Sequence, residues 1–67
     1  MSTFGERLKS LRKDRKLTQP QLAKELGVSN GMISMWENNV CEPSLSHIKK
    51  TAKFFAVSAD FLVGLED

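Results

Sequence analysis

The sequence predicts an all-α domain of five short helices around one core. Three observations carry that prediction. Apolar residues recur at three- and four-residue spacing throughout, and no run alternates as a strand would. Helix starts recur as Ser or Thr followed by an apolar-periodic stretch. With 67 residues the chain has room for a single small core, so residues 1–67 are read as one domain.

The first helix, about 3–15, carries Phe4, Leu8 and Leu11 on one stripe, with Arg7, Lys9, Lys13 and Arg15 off it. Thr3 or Ser2 is available as its cap. Lys16-Leu17 breaks the pattern. Thr18-Gln19-Pro20-Gln21 opens the second helix, about 18–26: Thr18 can accept a first-turn amide, Gln21 can reach back, and Pro20 sits where its missing N–H costs little. Leu22, Ala23 and Leu26 form its apolar face, and Gly27 stops it. Ser29 caps a third helix, about 29–38, built on Ile33 and Trp36 and closed by Asn38-Asn39. After a loop, Ser44 caps a fourth helix, about 44–56, with Leu45, Ile48, Ala52 and Phe55 expected inward and Lys49, Lys50 and Lys53 outward. Ser58 caps a fifth, about 58–64, with Phe61 and Leu62. Phe55, Val57 and Leu62 complete the expected core.

Composition excludes several classes. Cys41 is the single cysteine, so no intrachain disulfide forms, and with His47 it supplies too few ligands for a zinc site. Catalysis needs a nucleophile, a base and an orienting group in a pocket, and nothing here assembles one; no enzyme activity, metal or cofactor is expected. Cys41 reads as a loop filler and His47 as a surface residue. The free thiol, with no signal peptide or long apolar run, points to the cytoplasm and away from membranes. Charge is uneven: residues 1–58 hold ten basic against five acidic residues, a net +5, whereas residues 59–67 hold three acids. A basic body suits an anionic polymer.

The second and third helices are joined by Gly27-Val28-Ser29, a short Gly-containing turn that sets such a pair at a steep angle, the helix-turn-helix arrangement. The longer pattern Thr18-Gln19-x-x-Leu22-Ala23-x-x-x-Gly27-Val28-Ser29-x-x-x-Ile33-Ser34-x-Trp36-Glu37-Asn38, then Pro43-Ser44-Leu45 and Ala56-Val57-Ser58-Ala59-Asp60-Phe61-Leu62-Val63-Gly64, resembles the phage repressor and Cro type of helix-turn-helix domain, the lambda-repressor-like family. The resemblance runs from Leu8 to Gly64.

That resemblance implies sequence-specific binding of double-stranded DNA by a transcriptional regulator, in the first place a repressor, encoded by a prokaryote or a phage. The third helix would lie in the major groove. Asn30, Gly31, Ser34 and Met35 correspond to its base-reading positions: Asn30 has an amide suited to adenine, Gly31 admits close backbone approach, and Met35 suits a thymine methyl. Gln19, Asn38, Arg12 and Lys16 correspond to phosphate contacts, with Arg15 a further candidate. Arg12 would also pair with Glu37 and hold the reading helix on its scaffold. The family dimerises on palindromic operators, and Phe54, Phe61, Val63 and Leu65 are the candidates for a two-fold contact. The competing reading is a protein-interaction module such as an antitoxin, which would not need a polar surface at Gln19, Asn30 and Asn38.

Overall fold

A computed structural model describes residues 3–66; Ser2, the alternative first cap, lies outside them. Five helices follow in order: α1 (Phe4–Asp14), α2 (Gln19–Leu26), α3 (Asn30–Glu37), α4 (Leu45–Phe55) and α5 (Ala59–Leu62). No strand occurs among the described residues.

Each helix starts where its hydroxyl residue stands. Thr3, Thr18, Ser29, Ser44 and Ser58 are extended N-caps whose side chains accept the amide three residues on. At α2 the box is reciprocal: Gln21 N–H donates to Thr18 Oγ1 at 3.2 Å and Thr18 N–H to Gln21 Oε1 at 2.8 Å. Gly27 ends α2 in the left-handed region at φ +70°. Three residues with side chains take the same conformation: Lys16, Asn39 and Ala56. Asn39, at φ +59°, does what its amide suits it for. Ala56 ends α4 there, with Val57 N–H donating to the Ala52 carbonyl at 3.0 Å but no side-chain group of its own to bond locally.

The core is Leu8, Leu22, Ala23, Leu26, Ile33, Trp36 and Phe55, flanked by Phe4, Leu11, Leu17, Val28, Met32, Cys41, Phe54 and Val57. Leu62 of α5 is fully buried as well. Trp36 is its largest member. Phe4 meets the indole edge-on at 5.9 Å, and His47 lies at 5.0 Å from it. Gly5 is obligatory: a Cβ there would stand 2.0 Å from the Trp36 carbonyl oxygen, so α1 and the end of α3 touch backbone to backbone.

Three expectations need correction. Leu45 does not face the core; it is the first residue of α4 and is 67% exposed. Thr51 is buried on α4 along with Phe55, and its hydroxyl donates to the His47 carbonyl at 2.8 Å, so it carries no unpaired group inward. His47 is not a plain surface residue but half-buried against Trp36, its Nδ1 at 2.9 Å from Ser44 Oγ. The fifth helix covers four residues rather than 58–64, since Val63 leaves the helix and Gly64 turns at φ +86°.

Candidate nucleic-acid interface

Helical periodicity divides α3 into two faces. Ile33, Trp36 and Glu37, spaced three and four apart, are buried. Gly31, Ser34, Met35 and Asn38 fall on the opposite side with the same spacing, and Asn30 opens the helix beside them. Asn30, Gly31, Met35 and Asn38 are exposed and Ser34 is half-buried. The outer stripe is tied to itself at one point, where Asn38 Nδ2 donates to Ser34 Oγ at 3.4 Å.

The inner face is fixed by a buried ion pair. Arg12 Nε donates to Glu37 Oε2 at 2.6 Å and Arg12 Nη2 to Oε1 at 3.0 Å, a bidentate clasp between α1 and the end of α3. The Glu37 side chain is 2% exposed and that of Arg12 11%. Arg12 Nη1 donates to the Leu17 carbonyl at 2.9 Å, which ties the α1–α2 turn into the same cluster. Gln19 Nε2 completes it with a bond to Glu37 Oε1 at 3.1 Å. One carboxylate therefore holds α1, the start of α2 and the end of α3 together.

That clasp brings the start of α2 alongside the C-terminal end of α3. Pro20 lacks an N–H and Gln21 N–H is taken by Thr18, so the Gln19 backbone N–H is the first-turn donor of α2 with no partner among the described residues. A helix N-terminus with a free amide favours an anion. Gln19 and Asn38 thus flank the outer stripe of α3 at one end, and Lys16 is exposed in the preceding turn.

Arg15 is committed elsewhere. Its Nη2 donates to the Phe55 carbonyl at 3.2 Å, and its guanidinium lies 5.2 Å from the Phe55 ring centroid and 5.6 Å from that of Phe54. It caps the C-terminal end of α4 rather than waiting for a phosphate. No local signal distinguishes it from Lys16.

The four candidate two-fold residues have different surroundings, and Phe54 and Val63 border different grooves. Phe54 packs edge-on against Phe55 at 4.9 Å and lines a groove with Lys24, Lys50 and Lys53. Phe61 lies half-buried beneath the Arg7 guanidinium, 4.3 Å from its centroid. Val63 borders a different groove, with Phe4, Pro43 and Ile48. Val63 and Leu65 are exposed, and so are Leu45, which was expected inward, and Val40, which sequence reasoning did not single out.

A helix-turn-helix family model matches residues 8–62. The chain belongs to that family. Among curated relatives it is 42% identical over 64 residues to the HTH-type transcriptional activator BcrR of Enterococcus faecalis, covering 96% of this chain and 31% of that protein. It is 38% identical over 64 residues to the immunity repressor of Bacillus phage phi105, covering 96% of this chain and 44% of the relative. The chain thus spans less than half the length of either. Among solved structures, the P22 c2 repressor in complex with a synthetic operator matches with a TM-score of 0.91 and 35% identity, covering 98% of this chain and all of that one. The biofilm regulator SinR in complex with DNA matches with a TM-score of 0.81 and 30% identity, covering 90% and 97%. These relatives are transcriptional regulators of both signs, and the antitoxin reading has no support among them. No helix among the described residues is long and apolar enough to cross a membrane.

Proposed function

We propose that this chain is the DNA-binding domain of a transcriptional regulator, in the first place a repressor, that inserts α3 into the major groove of a palindromic operator. The observation that carries the reading is the division of α3: its inner face is locked by Ile33, Trp36 and the Arg12–Glu37 clasp, and its outer face is accessible and flanked by Gln19 and Asn38. Asn30, Ser34 and Met35 read base edges, and Gly31 lets the backbone approach. The Gln19 backbone amide, Asn38 and Lys16 position the helix on phosphates, and Arg12 acts chiefly through Glu37. With one amide, one hydroxyl and one thioether on the reading face, part of the specificity comes from DNA shape and bridging water. The structural relatives bound to operator and to DNA support this use of the fold.

A single module covers only about 600–1,000 Å² on DNA, so a second copy on a half-site about 34 Å away is needed for tight binding. Val63 and Leu65, both exposed and apolar, supply the two-fold contact. Residues 1–67 act as one domain in the cytoplasm.

Selection of bound duplexes from a random pool tests the proposal. A palindromic consensus with half-sites about one helical turn apart is the expected result. Enrichment without two-fold symmetry would remove the dimer, and no enrichment at all would remove the DNA reading.

A further inference from the structure

A groove of about 380 Å³ runs between the C-terminal end of α2 and the C-terminal half of α4. Lys24, Glu25, Leu26, Lys50, Lys53 and Phe54 line it, and no residue of α3 does. Lys24 to Leu26 lie five to seven residues beyond Gln19, about 8–10 Å along the helix axis from the amide end of α2. Neither α3 nor Gln19 lines the groove, which therefore lies outside the surface proposed for DNA.

Its charge is one-sided. Three lysines stand against Glu25 alone, and none forms an ion pair; Arg12–Glu37 is the one ion pair among the described residues. The sequence of α4 holds Lys49, Lys50 and Lys53 and no acid. Lys50 and Lys53 are neighbours at three-residue spacing, where like charges repel. Lys24 and Lys53 lie in the last turns of their helices, where a cation complements the dipole. Lys50 has no such role in the fold. The floor is apolar: Leu26 is buried, and the half-buried Phe54 ring is braced by Phe55 and Arg15.

We propose that this groove docks an acidic segment of a partner protein, its carboxylates paired with Lys24, Lys50 and Lys53 and one apolar side chain seated on Phe54. The apolar floor is what selects a peptide over a second stretch of DNA, because a phosphate backbone has no group to place on Leu26 and Phe54. This goes beyond the operator reading and does not depend on it. A regulator so equipped meets DNA with α3 and a protein with the α2–α4 side.

The test uses isotopically labelled protein and a synthetic peptide of about 12 residues, Asp- and Glu-rich with one Phe and one Leu four apart, against a control with Lys in place of every acid. Saturable amide shifts confined to residues 24–27 and 50–54, with the acidic peptide only, are expected. Lys50→Glu should weaken that binding about five- to tenfold, while Lys49→Glu, on the same helix but outside the groove, should change it less than about twofold. Operator affinity of Lys50→Glu should stay within about twofold of the parent. Absence of saturable shifts, shifts centred on α3, or equal losses in both variants would overturn the proposal. So would a matching loss of operator affinity, which would make the groove a phosphate contact.

Discussion

Replacing Arg12 by Leu tests the clasp on which the placement of α3 depends. The substitution leaves the Glu37 carboxylate, 2% exposed, with Gln19 Nε2 as its remaining side-chain donor. Removing one partner of a buried ion pair costs about 3–5 kcal/mol, because the other charge stays buried and uncompensated. The exposure of Arg12, 11%, is low enough that solvent screening takes little from that figure. Stability of a domain of this size is on the order of 3–10 kcal/mol, so the variant loses a large share of it. At about 4–8 °C per kcal/mol the melting temperature falls by roughly 15 °C or more. Urea titration followed by the fluorescence of Trp36, the sole tryptophan and next to Glu37, reads the change directly. The companion variant replaces both partners, Arg12→Leu with Glu37→Met. With no charge left to bury, it should recover to within about 1 kcal/mol of the parent. On DNA, Arg12→Leu should weaken all sequences alike, since Arg12 reads no base. A loss under about 1 kcal/mol for the single variant, or no recovery in the double, would refute the account of the clasp.

Four further outcomes are expected. Gly5→Ala forces its methyl against the Trp36 carbonyl oxygen and the Asn39 side chain; it should cost about 1–3 kcal/mol, read as a lower melting temperature. Ala56→Gly relieves a left-handed residue worth about 1–2 kcal/mol of strain and gives back about 0.4–1 through the freer unfolded chain, so calorimetry should show a net gain of roughly 0.5–1 kcal/mol. Asn30→Ala should relax selection at one base pair per half-site by about 1–3 kcal/mol and leave the others unchanged, as a repeat of the duplex selection would show. Val63→Glu should weaken binding to a two-half-site duplex about tenfold or more while single half-site binding holds, measured by mobility shift on the two duplexes.

The helix ends were legible because their causes are local. Thr18 and Gln21 satisfy each other within one turn, and Gly27 takes a backbone conformation that few other residues reach. Burial was legible where a residue sits mid-helix, as at Leu22 and Ile33, and failed at Leu45, whose exposure depends on what stands opposite the first turn of α4. The Arg12–Glu37 pair spans 25 residues of sequence; family resemblance supplied it, and no periodicity could. Arg15 and Lys16 look alike in sequence, yet only Arg15 lies over the Phe54 and Phe55 rings. Phe54 was grouped with Val63 on hydrophobicity, whereas the two border different grooves.

Gly31 shows how the two faces of α3 answer to different demands. Inside a helix, glycine costs about 0.8–1 kcal/mol relative to alanine. Gly5 has a packing reason for that cost, since any side chain would strike the α3 backbone. Gly31 has none: a Cβ there would meet only Ser29 Oγ, at 3.9 Å, and its φ is not in the left-handed region. Folding alone would therefore favour alanine at this position. The proposed docking of α3 supplies the missing reason, because a missing side chain lets the helix backbone come close to base edges while Asn30 and Met35 reach to either side. The residue least suited to an isolated helix thus stands where the helix has a partner to accommodate.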